Sequence, residues 1–394
     1  MTRRAQAAVA RDGDWRVALA DLKRQMPLLT EGAVVDLALL FASHEYAEEF
    51  PQLVEGVRDL TGASCLMGCS GQGVIGPRTE VEDEPALALL VLSLPDALLR
   101  PIKLSQRDLE ERPDPPAWRE LTDVPPEDVN AWLIFGDPFS LDAESLLATF
   151  SRAYPGLPLV GGLASGDFRK RRTHLFLDGD VYDSGAVALA LGGAYTIRTV
   201  VSQGCTPVGE TWTITGVKAN VIETIGMRRA LDVLVETVHG LPLPMQQRAG
   251  GNLFIGLAMD EYKDEFRRGD FLIRNLVAVD PESGVLAVGA VPRVGQTLQF
   301  QLRDSLAADE DLIEMLERAR AGLADQAPVG AILCSCNGRG AGLFGSSDHD
   351  ARAVEERLGP LPLAGFFCNG EIGPVGAMNF LHGFTASIAI IVPT

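Results

Sequence analysis

The chain has 394 residues, of which 34 are Lys or Arg and 53 are Asp or Glu, so its formal net charge is −19; 46% of its residues are apolar and 22% are charged. This length predicts two or three domains, each able to bury a core, and the apolar fraction excludes a disordered chain. The acidity argues against a nucleic-acid groove and against electrostatic attachment to anionic lipid, because both need an excess of Lys and Arg.

Membrane insertion and secretion are not indicated either. A membrane span needs about 20 uncharged apolar residues, and the richest apolar run, at 86–94, ends at Pro95. The first 14 residues contain arginine but no apolar core of a secretory signal. We therefore expect a soluble cytoplasmic protein.

Three segments of the chain repeat one pattern of strand, helix, strand and glycine-rich turn. Their strands lie at 37–41 and 64–68, at 132–135 and 157–162, and at 331–336 and 361–367, and a further apolar strand follows each unit at 85–94, 185–192 and 384–392. A strand–helix–strand unit makes a parallel crossover, and we expect the strand after it to return antiparallel. The runs carry no alternating polar face, so the sheets should be buried on both sides.

The remaining segments complete the predicted organisation. Residues 15–29 can form an amphipathic helix, the proline-rich stretch 109–126 suggests a surface linker, and 251–303 is β-rich before a helix at 309–320. The predicted fold is mixed α/β (α+β), with two lobes of β-sheet covered by helices and built from repeated β-α-β-β units. We expect a helical segment at 1–33, a first lobe at 34–222 and a second at 223–394.

The cysteines and histidines do not predict a metal site. Six cysteines occur without a Cys-x-x-Cys pair, and five histidines without His-x-x-x-His. Zinc ribbons and metal hydrolases depend on such spacings. We expect buried, reduced thiols, no metal and no cofactor.

Two glycine motifs match the dinucleotide pattern. The first, at 71–76, is followed by Pro77 and predicts a tight turn between strands. The second, at 340–345, follows a strand and precedes Ser346, Ser347 and Asp348, which are good helix caps. Its backbone N–H groups and Arg339 can hold a small anion or an amino acid. A structural loop is the equal alternative, and a nucleotide is disfavoured because no acidic residue closes the next strand.

The turn Asn369-Gly370-Glu371 closes the third repeat where Ser70-Gly71 closes the first and Ser165-Gly166 the second. Equivalent turns at the carboxyl ends of parallel strands meet where α/β proteins bind ligands. Arg339 and Glu371 would then face a zwitterion together; the alternative is an Arg–Glu pair that fastens two loops. The candidate ligand-binding residues are Arg339, Asn337, Gly340, Asn369, Glu371, Ser70 and Gly71.

An enzyme would need a nucleophile beside a base. Cys336 or Cys368 next to His349 or His382 is conceivable. Sequence does not place them within hydrogen-bond reach, and packing is the alternative role for a thiol flanked by glycine. We leave the question open and favour a protein without catalysis.

The motifs NGRGAGLFG (337–345) and LPLAGFFCNGEIGP (361–374), with the final strand after Asn379, resemble the C-terminal half of FIST domains. The earlier GCSGQGVIG (68–76), LVGGLASGD (159–167) and VGETWTITG (208–216) resemble the N-terminal half. The resemblance extends from about Val34 almost to the end of the chain.

The resemblance implies a sensory module of signal transduction that binds small ligands such as amino acids. Relatives carry this module fused to an output domain, and we expect none here, so a separate signalling protein would be the partner. The leading hypothesis is a cytoplasmic ligand-binding sensory protein. The alternatives are a cysteine-dependent enzyme of amino-acid or acyl metabolism and a protein-interaction scaffold.

Overall fold

The computed structural model describes residues 5–30, 33–167, 169–263, 265–323, 326–376 and 378–394. Its contacts divide the chain into two compact units: a first unit of Met1–Val201 with Ile313–Thr394, and a second unit of Ser202–Leu312.

In their described residues, the first repeat and the segment before it form six strands and three α-helices. These are β1 (Ala5–Arg11), α1 (Trp15–Gln25), α2 (Pro27–Thr30), β2 (Leu37–Ser43), α3 (Phe50–Thr61), β3 (Cys65–Gly71), β4 (Gly73–Gly76), β5 (Thr79–Glu82) and β6 (Ala86–Leu92). Helix α3 has a proline in its first turn, buries an apolar stripe that includes Phe50 and Val57, and ends at Gly62 in the left-handed conformation. The segment predicted as helical also supplies a strand, β1, which pairs with β6.

The second repeat follows the same plan. It contains β7 (Ala97–Leu104), α4 (Gln106–Glu111), α5 (Pro115–Thr122), β8 (Val129–Gly136), α6 (Ala143–Ala153), β9 (Leu159–Leu163), β10 (Leu175–Leu177), β11 (Asp180–Tyr182) and β12 (Ala186–Gly193), and β13 (Tyr195–Ser202) comes after it. The predicted surface linker at 109–126 is wrong, because it holds α5 and the fully buried Trp118, whose ring packs edge-on against Phe150.

The second unit is one antiparallel sheet with two helices. Its elements are β14 (Thr206–Lys218), β15 (Val221–Ile225), β16 (Arg228–Arg229), α7 (Ala230–Gly240), α8 (Leu243–Ala249), β17 (Leu253–Ala258), β18 (Phe271–Asp280), β19 (Val285–Val288) and β20 (Thr297–Leu302). Strand β14 pairs with both β20 and β15, so six strands close into a ring. The boundary proposed at residues 222 and 223 lies inside β15 of this unit, because residues 206–225 pair with strands from 285–302.

The third repeat follows the helix α9 (Ser305–Leu323). It contains β21 (Gly330–Cys336), α10 (Gly340–Phe344), α11 (His349–Leu358), β22 (Leu363–Cys368), β23 (Gly370–Val375), β24 (Met378–His382) and β25 (Ala386–Pro393). The predicted crossovers are confirmed: β2 with β3, β8 with β9 and β21 with β22 are parallel pairs. The strands that follow each unit, β6, β12 and β25, return antiparallel as expected.

The three repeats exchange their hairpins in a cycle. Hairpin β4–β5 of the first repeat joins the sheet of the third, hairpin β10–β11 of the second joins the sheet of the first, and hairpin β23–β24 of the third joins the sheet of the second. The sheets run β1-β6-β2-β3-β10-β11, β7-β12-β8-β9-β23-β24 and β13-β25-β21-β22-β4-β5. Each sheet therefore needs strands from two repeats.

A glycine holds the same place in each parallel pair. Gly68, Gly161 and Gly365 lie in register with Leu40, Ile134 and Leu333. A Cβ at any of the three glycines would lie 1.8–1.9 Å from the partner's carbonyl oxygen. These glycines let the two parallel strands approach, and they define equivalent positions in the three repeats.

The three sheets of the first unit share one hydrophobic core. The rings of Phe41, Phe135 and Phe366, one from each sheet, pack together with centroids 5.1–5.7 Å apart. On the outer faces, α1 and α3 cover the first sheet, and α5 and α6 the second. The mixed α/β fold with sheets buried on both sides is confirmed. Among the described residues, no helix combines the length and hydropathy that crossing a bilayer requires.

Candidate functional site

The strand ends of all three repeats meet in one hydrogen-bonded cluster, which we call the junction (residues 70–72, 165 and 367–369). Ser70 Oγ donates to the carbonyl oxygen of Ser165 at 2.8 Å. Ser165 Oγ accepts from the backbone N–H of Gln72 at 2.7 Å and donates to the carbonyl oxygen of Phe367. The backbone N–H of Asn369 donates to Leu163 at 3.0 Å. The three predicted turns, at 70–71, 165–166 and 369–371, therefore lie side by side.

Carboxamide side chains surround the junction. Gln72 and Asn369 are exposed and Asn337 is half-buried. Asn337 Nδ2 donates to Asn369 Oδ1 at 2.9 Å, and Asn369 Nδ2 donates to the carbonyl oxygen of Ala164 at 3.0 Å. Among the described residues, Asn337 Oδ1 is a buried acceptor without a hydrogen-bond partner.

Arg339 lies apart from these carboxamides, in a buried ion pair. Its side chain is inaccessible to solvent, and Nε and Nη2 donate to the two carboxylate oxygens of Asp350 at 2.7 and 2.8 Å. Burial acts to raise the pKa of Asp350, but the charge and hydrogen bonds of Arg339 outweigh it and hold that pKa below its usual range. Asp350 was not a candidate from sequence, since it lies just beyond the expected helix caps.

The glycine-rich loop binds carboxylates that belong to this chain. The backbone N–H of Ala341, in the loop, donates to Glu82, and that of Ala351, in α11, donates to Glu80, each at 2.9 Å. Gly340 has φ 64°, and a Cβ there would lie 2.5 Å from Glu82 Oε2. Of the backbone amides predicted to bind an anion, that of Ala341 is thus occupied by hairpin β4–β5 of the first repeat. The helix predicted to follow the expected caps and end at 358 is confirmed as α11, and the glycine-rich loop before it also holds the short α10. Asp348 is the N-cap residue of α11, but its side chain accepts from Glu80 N at 2.8 Å instead of capping the helix.

Glu371 is fully buried and contacts two thiols. Its Oε1 accepts from Cys368 Sγ at 3.2 Å and its Oε2 from Thr385 N at 3.0 Å, and the side chain of Cys336 also bonds to it. Burial raises the pKa of Glu371 to about 8, although these hydrogen bonds and the charge of Arg339 act to lower it. Arg339 thus influences Glu371 through its charge, while its guanidinium is bonded to Asp350.

Glu371 replaces an apolar residue of the other repeats. The strand pairs Val74–Phe366, Leu175–Cys69 and Glu371–Gly162 are equivalent in the three sheets. Val74 and Leu175 belong to the shared hydrophobic core. A carboxyl group in this position costs free energy by desolvation, so the third repeat differs from the others in one unfavourable and specific way.

Cys336 is the one cysteine that is not fully buried. It accepts a hydrogen bond from the backbone N–H of Gly338 at 3.4 Å. The histidines considered as its base have other contacts: His349 Nδ1 lies 2.9 Å from Asp350 Oδ1, and His382 Nε2 lies 3.0 Å from the carbonyl oxygen of Gly373. The group that the structure brings to the Cys336 thiol is Glu371, a residue that the sequence predicts to bind the ligand.

The described residues hold no metal site, and three cavities lie away from this cluster. No set of three or more His, Cys, Asp or Glu side chains with metal-binding geometry occurs in the part of the chain that the structure describes. Cavities of 380, 410 and 520 Å³ lie on the first unit. The first is lined by Arg198 and Asn379 among others, and the other two adjoin β1. Arg339 and Glu371 line none of these three.

The chain is similar to known proteins over nearly its whole length. Residues 36–228 match the FIST N domain and residues 230–374 the FIST C domain. An uncharacterized protein of Mycobacterium tuberculosis is 40% identical over 362 residues, 92% of each chain. An uncharacterized protein of Mycobacterium bovis is 37% identical over 388 residues, 98% of this chain and 95% of the relative.

Among solved structures, a cyanuric acid hydrolase from A. caulinodans aligns with 99% of both chains at 10% identity and a TM-score of 0.37. A second cyanuric acid hydrolase structure aligns with a TM-score of 0.31. Both likenesses are too low to support a comparison of chemistry. FIST domains are associated with sensory signal transduction and small-ligand binding. The two matched domains and the mycobacterial relatives show that the chain belongs to the FIST family.

Proposed function

We propose that this protein is a cytoplasmic sensory protein that binds an amino acid or a small carboxylate, catalyses no reaction and passes its signal to a separate protein. The observation that supports this proposal is the group of carboxamides at the junction, next to the buried acid Glu371. Exposed carboxamides from the first repeat (Gln72) and the third (Asn369), next to one unsatisfied buried acceptor on Asn337, are suited to a small polar ligand.

The site in this proposal comprises Arg339, Asn337, Gly340, Asn369, Glu371, Ser70 and Gly71. Asn337 and Asn369 contact the ligand, because their side chains reach solvent. Asn337 Oδ1 accepts from an ammonium or amide group, and Glu371 adds negative charge when it is ionised. Arg339 acts indirectly, by holding Asp350 and the loop around Gly340.

Ser70 and Gly71 shape the junction. Ser70 Oγ joins two repeats, since it donates to Ser165 and accepts from the backbone N–H of His174 at 3.0 Å. A Cβ at Gly71 would lie 2.5 Å from the carbonyl oxygen of Gly73. These two residues fix the position of Gln72, whose exposed carboxamide supplies N–H donors for a ligand carboxylate.

Thermal-shift screening of the full chain against amino acids and short carboxylates tests the proposal. A ligand at 100 times its Kd stabilises the folded chain by about 2.7 kcal/mol. Asn337→Ala and Asn369→Ala should each weaken a ligand so found at least fivefold, the equivalent of about 1 kcal/mol for a lost hydrogen bond. Asn252→Ala, an exposed asparagine of the second unit, is the matched control.

Three results would count against the proposal. Absence of any stabilising compound contradicts the ligand class, and unchanged affinity in both asparagine variants contradicts the site. Chemical conversion of the bound ligand favours the alternative of a cysteine-dependent enzyme. The side-chain hydrogen bond between the half-buried Cys336 and Glu371 supports that alternative, with Glu371 rather than a histidine as the base.

A further inference from the structure

Two cysteines of the third repeat lie next to each other in the parallel pair β21–β22. Cys336 and Cys368 are register partners. Neighbouring strands of a sheet are about 4.8 Å apart, which lies within the Cα separations of about 4.4–6.8 Å that disulfides span. Both cysteines are reduced and bond to the same carboxyl group, Glu371.

We infer that Cys336, Cys368 and Glu371 form a thiol–disulfide exchange site whose substrate is a low-molecular-weight disulfide. The exchange needs one thiol that attacks the substrate and a second that completes the disulfide, and the two cysteines differ accordingly. Cys336 is partly exposed and can meet a substrate, whereas Cys368 is fully buried beside it and has no access to solvent. This differs from a hydrolytic or acyl-transfer enzyme, and it does not depend on the proposed sensory ligand.

The exchange balances without a further reagent. Glu371 takes the proton of Cys336, and the thiolate attacks one sulfur of the substrate, RSSR; an S–S bond forms at Cys336, the substrate S–S bond breaks, and the leaving RS⁻ takes that proton from Glu371 to become RSH. Glu371, again ionised, takes the proton of Cys368 along their hydrogen bond; Cys368 then attacks Cys336 Sγ, and the second RS⁻ that it expels takes this proton to become RSH. Two cysteines are oxidised to a disulfide, and one external disulfide is reduced to two thiols.

The surroundings of Cys336 favour this chemistry. The backbone N–H of Gly338 points at its sulfur and stabilises a thiolate. The charged and titratable groups near Glu371 include Arg339, Cys334, Cys336 and Cys368, and His382 is its register partner in β24. Arg339 favours the ionised carboxylate that serves as base, while burial opposes it, so the carboxyl group is poised to exchange protons near neutral pH.

The other repeats lack this set of side chains. Residues equivalent to Cys336, by the register of the parallel strands, are Ser43 and Asp137; those equivalent to Cys368 are Gly71 and Ala164. Glu371 likewise stands where the others have Val74 and Leu175. Asn337 and Asn369 directly follow the two cysteines, so a disulfide would also fix the spacing of these two carboxamides.

The test uses the full reduced chain, bis(2-hydroxyethyl) disulfide at pH 8.5, and mass spectrometry of the intact chain and its peptides. The wild-type chain should lose two hydrogens and link Cys336 to Cys368, with no lasting adduct. Cys368→Ser should stop at one mercaptoethanol adduct on Cys336, and Cys336→Ser should give neither product. Cys65→Ser, which removes a buried thiol of β3, should behave as the wild type.

A separate experiment tests the role of Glu371. In the Cys368→Ser background, Glu371→Gln should slow adduct formation at least tenfold, as loss of a general base does; Glu371→Val, with the residue type that the first repeat has at the equivalent position, replaces it if the Gln variant does not fold. The inference is overturned if native Cys336 reacts no faster than Cys65, or if the wild type accumulates the same adduct as Cys368→Ser. It is also overturned if the Glu371 variants react at the wild-type rate. If no exchange occurs while a ligand still raises the melting temperature, the exchange inference fails and the proposed sensory function stands.

Discussion

Arg339 and Asp350 form a two-bond ion pair with donor–acceptor distances of 2.7 and 2.8 Å and no exposure of either charged group. Asp350 also accepts from Ser335 Oγ at 2.8 Å. The pair joins the start of α10 to the first turn of α11, so it sets the shape of the glycine-rich loop. Arg339, the cation that sequence favours for a ligand, is bonded to the protein itself.

Removing one partner of this pair should strongly destabilise the first unit. Arg339→Met leaves the Asp350 carboxylate buried without its countercharge, which costs about 3–5 kcal/mol. The double variant Arg339→Met/Asp350→Leu should recover most of that loss, because apolar side chains of similar volume replace a buried pair at little cost. Urea denaturation of the wild type, both single variants and the double variant measures the coupling. Additive losses would contradict the pairing.

The buried carboxyl of Glu371 should make the free energy of unfolding fall as pH rises. A carboxyl group whose pKa is lowered by folding has the opposite effect. Its pKa is about 8 in the folded chain against an ordinary 4.5. Between these values the folded state holds the proton and the unfolded state has lost it, so the free energy of unfolding falls as pH rises from about 5 to 8. Below pH 4.5 both states are protonated and the contribution is constant.

Glu371→Gln should therefore flatten this part of the pH profile. The wild type should lose stability relative to the variant by more than about 1.4 kcal/mol between pH 5 and pH 8.5, the free energy of one pKa unit. Glu80→Gln serves as a comparison, because burial also raises the pKa of Glu80 to about 8. Chemical denaturation at several pH values gives the result. Parallel wild-type and Glu371→Gln profiles would rule out a buried neutral acid at this position.

The equivalent glycines of the parallel strands should not tolerate a side chain. In Gly365→Ala the new Cβ would lie 1.9 Å from the carbonyl oxygen of Leu333, and Gly68→Ala would meet Leu40 at 1.8 Å. Because the obstacle is backbone, the strands must separate, and we expect losses of at least about 3 kcal/mol, the upper end for overpacking. Gly342→Ala is the control, since nothing lies within 4 Å of its Cβ position and alanine favours helix α10. A glycine variant as stable as the control would contradict the close approach.

The repeated unit can be predicted from sequence because every part of it is local. An apolar strand, an amphipathic helix and a glycine near the end of the next strand recur with almost constant spacing, and they predict both the parallel crossovers and the meeting of Ser70 with Ser165. The short helix α10, which forms within the glycine-rich loop, is the exception within the pattern. It ends at Gly345, which has φ 70°, before the predicted helix, α11, begins at His349.

The exchanged hairpins and the buried charges could not be predicted in this way. Hairpin β4–β5 has the same local pattern whether it pairs with β3 or with β22, and only the assembled sheets decide between them. The carboxylates that meet this region, Glu82 at the glycine-rich loop and Glu80 at α11, come from that hairpin and lie about 260–270 positions earlier in the chain. The sequence therefore predicts an amide that binds an anion, that of Ala341, but not that the anion is internal.

Ser165 should be the residue on which the junction most depends. Its hydroxyl accepts from Gln72 N and donates to the carbonyl oxygen of Phe367, so one oxygen joins all three repeats. Ser165→Ala leaves both buried partners unsatisfied, at about 1–3 kcal/mol each, and Ser346→Ala, at an exposed position, should change little. Chemical denaturation measures the total loss of unfolding free energy. Hydrogen exchange should show that Ser165→Ala speeds exchange of the Gln72 backbone amide more than that of the Val74 backbone amide. If the Gln72 amide keeps its protection in Ser165→Ala, the three-repeat hydrogen bond does not form in solution.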